Sequence, residues 1–516
     1  MSAAPDNTPV LIGVGEASER IDAPTYAALS PADLAGKAAA AALADAGAPN
    51  LAREIDVIAG VRQFEISGPN ARPPFGASNN FPRSVGKRIG AEPARAVLEI
   101  VGGQGPQHLV NEFCHAIAAG EAQMALLAGA EAISTVRHLT ARGEARDWAE
   151  TVEGSLEDRG FGGEGMLTRD LAYAGGRTPI TVYALFENAR RGRLGLSREA
   201  YRLEMGRLFA PFTEVAAANP HAMSPEARSA EALAAITADN RLTSDPFPRR
   251  MVARDQANQG AALLLTSVGK ARALGVPEGK WVYLHGGADV RERTVMERAD
   301  LSKGPASTLA VRRALEAAGV ALAGIAAFDL YSCFPIAVFN ICDGLGLAPD
   351  DPRGLTLTGG LPFFGGAGNN YSMHAIAAMA RRLRAEPGAL GLVGANGGFL
   401  TKYSAGVYST KPVEWRGFDS AALQREVDGW AALALSADYS GEATIETYTI
   451  DYAGKEPRGV VIGRTPSAER FAAAAEDAAI VRQLIEREPL GGRISVAHQD
   501  DGRILVTAFK PALATA

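Results

Sequence analysis

Ala96-Val97-Leu98-Glu99-Ile100-Val101-Gly102-Gly103-Gln104-Gly105 is an apolar run closed by a glycine-rich turn, and the arrangement returns at Leu361-Pro362-Phe363-Phe364-Gly365-Gly366-Ala367-Gly368. Each turn precedes a long helical pattern and then a short apolar run ending in glycine. Those closing runs are Met124-Ala125-Leu126-Leu127-Ala128-Gly129 and Ala389-Leu390-Gly391-Leu392-Val393-Gly394. A turn that opens a helix brings free backbone N–H groups to whatever sits at the helix start. Glycine there lets a substrate or a second backbone approach closely.

The repetition extends upstream. Residues 32–61 read as helix, Ala-Gly, then the strand Ile55-Asp56-Val57-Ile58; residues 307–330 read as helix, Ala-Gly, then Ile325-Ala326-Ala327-Phe328. Gly47 corresponds to Gly319, with Leu43 and Leu315 four residues before them. Two divergent copies of one α/β unit are present, and their register pairs Gly103 with Gly366.

A chain of 516 residues, 47% hydrophobic and 21% charged with 57 glycines, has room for two to four domains with large buried cores. The net charge of -6 and the absence of a basic cluster with interleaved aromatics give no case for nucleic acid. Cys114, Cys333 and Cys342 lack metal-ligand spacing, so neither a metal nor a disulfide framework is expected. Met1-Ser2-Ala3-Ala4-Pro5-Asp6 carries no charged-then-apolar signal, and no run is long enough to cross a bilayer. The expected location is cytoplasmic, with no membrane partner.

The first unit is assigned to residues 1–137 with 246–280, the second to 281–410. Ser30-Pro31-Ala32-Asp33 is a helix start, with a capping serine, a proline at the first helical position and an acid in the first turn. Charges, prolines and irregular spacing over 138–245 mark an inserted subdomain, too long for a simple loop. Residues 411–516 form a separate domain. Residues 443–450 alternate as a half-buried strand should, and Asp501-Gly502 is a hairpin signal between Ile494-Ser495-Val496-Ala497 and Ile504-Leu505-Val506. An antiparallel OB-like barrel with one helix over about residues 467–486 is expected.

These residues resemble the thiolase superfamily over roughly residues 8–410. Asn258-Gln259-Gly260-Ala261-Ala262 looks like the family's N-D-G-A-A strand, and Ile117-Ala118-Ala119-Gly120-Glu121-Ala122 through Gly129-Ala130-Glu131 looks like its I-A-x-G-x-A…G-x-E stretch. Asp329-Leu330-Tyr331-Ser332-Cys333-Phe334 falls where thiolases carry N-E-A-F, or H-D-C-F in the sterol-carrier type. With its added C-terminal domain the chain is closest to the type-1 thiolase-like proteins, often named acetyl-CoA acetyltransferases. The resemblance implies a thiolase fold: two pseudo-repeated βαβαβαββ halves in five αβαβα layers, a loop-domain insertion and an OB-like barrel. It implies an acyltransferase of lipid metabolism acting on a coenzyme A thioester, with no resident cofactor. Thiolases pair through a core-edge strand, which implies a homodimer, or a monomer if the added domain covers that edge.

The family's catalytic residues do not carry over. Its nucleophilic cysteine falls on Gly103, its G-H-P histidine on Gly366, and its second cysteine near Gly394. A thiolase needs a thiolate, a histidine to activate it and a second acid/base, and glycine supplies none of these. Ordinary thiolysis is therefore not expected. Cys114 lies about 16 Å of helical rise beyond the turn, and His374 and His108 are similarly displaced, so all three read as structural. Tyr331 and Cys333 are the catalytic candidates. Tyr331 resembles the tyrosine of thiolase-like retro-aldolases and would shuttle a proton, or is a core tyrosine with its hydroxyl satisfied. Cys333 is a nucleophile or a packed hydrophobe. Gly103, Gly366, Asn369 and Asn396 are the substrate-binding candidates: the turns offer N–H groups, and the asparagines either donate to a thioester oxygen or serve as turn residues. Three functions stay open, an acyl-CoA-handling acyltransferase, a lyase cleaving β-hydroxyacyl-CoA by retro-aldol chemistry, and a non-catalytic acyl-CoA binder.

Overall fold

The computed structural model describes residues 4–512. Strand β1 (Pro9–Ser18), helix α1 (Pro31–Ala46), β2 (Val57–Gly60), α2 (Phe81–Ile89), β3 (Arg95–Leu98), α3 (Gly105–Ala119) and β4 (Met124–Ala132) build the first half. α1 starts where Ser30 and Asp33 exchange side-chain and backbone hydrogen bonds, with Pro31 at its first position. Its alanine face lies directly on β1. A Cβ on Gly13 would sit 2.2 Å from Ala42 O, and one on Gly15 2.0 Å from Ala38 O. An excursion follows through α4 (Ile133–Arg142), the two-residue β5 (Glu157–Asp158), α5 (Arg169–Tyr173), α6 (Pro179–Leu194), α7 (Arg198–Ala218), α8 (Ala230–Ala234), β6 (Leu242–Ser244) and β7 (Phe247–Pro248). The chain then re-enters the core as β8 (Asn258–Ser267) and α9 (Val268–Ala273). The sheet order is β1-β8-β4-β2-β3-β5, with β8 antiparallel to both neighbours and β2 parallel to β3 and β4.

The second half repeats this plan with β9 (Tyr283–Arg291), α10 (Pro305–Ala318), β10 (Ala327–Leu330), α11 (Pro335–Leu345), α12 (Tyr371–Ala385), β11 (Leu390–Gly397) and β12 (Lys402–Ser409). Its order, β10-β11-β12-β9, matches β2-β4-β8-β1 strand for strand. Gly286 admits α10 as Gly13 and Gly15 admit α1, its Cβ position lying 2.3 Å from Ala314 O. The turn glycines share an unusual backbone, φ 145° at Gly102 and φ 122° at Gly365. The counterpart of β3 is not a strand: Leu330 N–H reaches Leu355 O, and the chain turns away. α3 and α12 pack on each other and on both sheets, with α1 and α10 outside, which gives five layers.

The edge of β3 is occupied by β5 from the excursion, through Val97–Glu157 and Leu98–Asp158. This edge is closed by the insertion and not by the C-terminal domain.

After α13 (Ser420–Asp428) come β13 (Gly441–Asp451), β14 (Arg458–Arg464), β15 (Arg470–Ala475), α14 (Ala478–Glu486), β16 (Arg493–His498) and β17 (Ile504–Lys510). The order β14-β15-β17-β16-β13 closes into a five-stranded barrel because β13 also pairs with β14. The helix expected over 467–486 is confined to its second half. Phe471-Ala472-Ala473-Ala474-Ala475 has helical propensity but is buried at every position. The small barrel needs small side chains there, and packing overrides propensity. The barrel docks on α6: Asn188 donates to Tyr448 O at 3.0 Å and Thr447 Oγ1 to Leu185 O at 2.6 Å. Among the described residues no helix is long and apolar enough to cross a membrane.

Candidate functional site

The two glycine turns face a cavity of about 480 Å³ between the halves, and Gly103, Gly366, Asn369, Asn396, Tyr331 and Cys333 all line it. The structure therefore brings the six residues singled out in the sequence to one place. Each half fixes the other's turn. Asn369 accepts from Gly102 N–H at 2.9 Å and donates to Arg62 O at 2.7 Å, and Ser372 on α12 donates to Gly103 O. Asn369 thus spends both ends of its amide on positioning the first turn. Gly366 N–H is taken by Arg254 O at 2.7 Å, whereas Gly103 N–H has no acceptor among the described residues.

Tyr331 follows β10 and is held by its N–H on Gly394 O at 2.9 Å and by the edge of the Tyr371 ring at 5.4 Å between centroids. Its hydroxyl would lie 2.2 Å from a Cβ on Gly103. The phenol thus occupies the place of any side chain at the first turn. The same substitution of space recurs at Gly394, whose Cβ position lies 2.2 Å from Tyr403 Oη. At Gly366 the nearest obstacle is 3.2 Å away, so that position is tight but open. The Tyr331 hydroxyl makes no hydrogen bond among the described residues. Burial pushes its pKa well above the usual phenol value, so at neutral pH it is a proton donor.

Cys333 is 7% exposed, and burial pushes its thiol up to about 12, opposed by the neighbouring Tyr183 hydroxyl and Asn396 amide. A thiol so placed carries little thiolate at neutral pH. Asn396, at the end of β11, donates to Tyr183 Oη at 2.8 Å and lies 3.9 Å from Cys333 Sγ. Tyr183 is a cavity residue that sequence reasoning missed. It sits on α6 in the insertion, stacks on Phe334 at 4.4 Å and donates to Gly398 O at 2.9 Å. The barrel braces that same helix from outside.

Two buried acids support the walls. Asp329 accepts from Leu357 N–H, Thr358 N–H, Thr356 and Tyr371, and burial outweighs these bonds to lift its pKa to about 6. Glu131 ends β4 as Asn396 ends β11, in the matching triplets Gly129-Ala130-Glu131 and Gly394-Ala395-Asn396. Its Oε1 accepts from Phe64 N–H at 2.9 Å and fills the place of a Cβ on Gly368, 1.9 Å away. Burial raises it to about 8, helped by Glu65 and Asp255.

The remaining candidates lie outside the cavity. Cys114 and Cys342 are buried in the core. His374 is fully buried, with Nδ1 2.6 Å from Glu16 Oε1. His108 meets Asp289 at 3.2 Å, and in the neighbouring Glu99–His108–Glu112 cluster Arg159 donates to both glutamates.

Residues 422–502 match the family model described as the thiolase-like protein type 1 additional C-terminal domain. No curated protein matches the chain. Among solved structures, a monomeric SCP2-thiolase-like protein type 1 from Mycobacterium smegmatis is 47% identical, with 98% of this chain and 99% of that one covered and a TM-score of 0.85. An Ltp2–ChsH2(DUF35) aldolase is 19% identical over 78% of this chain and 98% of that one, TM-score 0.57. An acetyl-CoA acetyltransferase from Syntrophomonas wolfei is 17% identical over 78% and 99%, TM-score 0.54. The last two share the fold alone. Identity of 47% sustained over nearly the whole of both chains places this protein in the SCP2-thiolase-like protein type 1 family.

Proposed function

We propose that the cavity binds the acyl and thioester part of an acyl-CoA without forming a covalent acyl-enzyme. One observation carries this reading: the Tyr331 phenol stands where a nucleophile at position 103 would have to be. The volume suits a small-molecule site. A free Gly103 N–H and a protonated Tyr331 are two donors for a thioester carbonyl. Coenzyme A enters as part of the ligand and not as a resident cofactor. In this reading the chain keeps the acyl-CoA handling of its acyltransferase relatives and lacks their thiolysis. It acts as a monomer, because β5 occupies the sheet edge that a second copy would need.

A second reading, retro-aldol cleavage of a β-hydroxyacyl-CoA, is favoured by the unpartnered Tyr331 hydroxyl, which is available to relay a proton: as the bond between the α- and β-carbons breaks, the phenol protonates the α-carbon and its oxygen takes up the proton of the β-hydroxyl. Calorimetric titration of CoA esters into the wild type and Ile180→Trp tests the site itself, since Ile180 lines the cavity and the larger ring fills it. Wild type should bind, and the variant should bind at least about tenfold more weakly, roughly 1.4 kcal/mol. Absence of binding at millimolar ester, or equal binding by both, refutes the assignment.

A further inference from the structure

Behind the first glycine turn lies a second pocket of about 400 Å³, lined by Gln104, His108, Asp289, Arg291, Lys402 and Ser404 among others. Its polar groups are unevenly satisfied. Lys402 is 4% exposed, and its ammonium donates to Val101 O at 2.8 Å and Gly162 O at 2.6 Å with no carboxylate within salt-bridge distance. Arg291 is exposed, and its guanidinium makes neither an ion pair nor a hydrogen bond among the described residues. Gln104 is 5% exposed; its Oε1 is turned toward Gly102 and Gly397, so the donor it can offer the pocket is Nε2, which makes no hydrogen bond among the described residues. The carboxylate of the pocket, Asp289, is already committed to Ser404 Oγ, to His108 Nδ1 at 3.2 Å and to Asn111 Nδ2 at 3.1 Å. A buried ammonium without a counter-ion is costly, and removing one partner of a buried pair typically destabilises strongly.

We infer that this pocket is a binding site for a small oxyanion, a carboxylate or phosphate group held by Lys402 and Arg291 with the Gln104 amide beside it. Burial and the nearby Arg291 charge depress Lys402 to about 8 against the opposing charge of Glu99, which agrees with two cations in one pocket, neither of them paired with a carboxylate. The site is separate from the glycine-turn cavity. Gln104 fills the positions of a Cβ on Gly102 and on Gly397, 2.0 and 1.8 Å away, and both glycines line that cavity. Lys402 also holds Val101 O, immediately before the turn. An anion seated here would therefore reinforce the first turn from behind.

The test is calorimetric and thermal titration with potassium phosphate and with potassium malonate, each against potassium chloride of equal ionic strength. Binding to the folded state raises the melting temperature by mass action. Wild type should show saturable stabilisation by phosphate, by malonate or by both, and whichever arm binds more tightly names the class. Arg291→Gln changes an exposed side chain, so it should fold normally and weaken binding by about tenfold or more; Lys402→Met should abolish it. If chloride stabilises as much as either oxyanion, or if Arg291→Gln titrates like wild type, there is no such site.

Discussion

Gly103→Cys restores the residue type a thiolase uses at this turn, and the structure predicts that the chain will reject it. The new Cβ would lie 2.2 Å from Tyr331 Oη, 2.4 Å from Cζ and 2.5 Å from Cε2. Contacts that short force either the ring or the turn to move. Tyr331 is 7% exposed and backed by Tyr371, while Gly103 O is held by Ser372, so both partners resist. Overpacking of this kind costs about 1–3 kcal/mol. Tyr331→Ala removes the obstacle, so in that background Gly103→Cys should cost much less, giving a coupling of about 1–2 kcal/mol. The assay is urea unfolding of the four chains of the double-mutant cycle, followed by far-UV circular dichroism. Costs that add within about 0.5 kcal/mol would show that the ring and the turn do not compete for space, and the argument from Tyr331 would fail.

Three further expectations follow from the same geometry. Tyr331→Phe removes one of the two donors to the thioester carbonyl and should weaken acyl-CoA binding by about 1 kcal/mol, roughly fivefold, and if the chain cleaves β-hydroxyacyl-CoA its turnover should fall by about 10²- to 10⁴-fold; unchanged turnover removes Tyr331 as the proton donor. Alkylation of Cys333, followed by peptide mass spectrometry, should accelerate with pH through 9 without a plateau, because the thiol is pushed up to about 12; a plateau below pH 8 would reveal an activated thiolate. Glu131, raised to about 8, holds in the folded state a proton that the unfolded chain releases from about pH 4.5 upward. Its contribution to stability is therefore greatest below that range, is lost as pH rises to about 8, and is flat above. Glu131→Gln should flatten this loss, which amounts to a few kcal/mol across the range. Equal pH slopes in urea unfolding of wild type and Glu131→Gln would contradict the assignment.

The repeat was legible because glycine turns and glycine-ended strands are local patterns, and each half writes them out in the same order. The six candidate residues were reachable for the same reason, since the turns and the Tyr331–Phe334 segment fall at matching heights of the two sheets. What local pattern could not reveal was competition for space. Nothing near Gly103 in sequence announces that a phenol 228 positions later fills its side-chain volume. Tyr183 lay hidden because it belongs to the insertion, where no motif marks it and only the docking of α6 brings it to Asn396. The alanine run before Glu476 read as helix because propensity is local, whereas the barrel that buries it is assembled from strands on both sides. The closure of the β3 edge by two residues of β5 was likewise too short to register as a strand.

Binding without covalent capture leaves the chain mass unchanged, which intact-mass spectrometry under saturating acyl-CoA reads. Calorimetry on the same sample establishes that the site is occupied. The protein should then be acid-quenched over times from seconds to hours and weighed. A saturable binding isotherm and an unmodified chain mass at every time are expected. An acyl adduct that forms within catalytic times and maps to Cys333 would contradict binding without covalent capture.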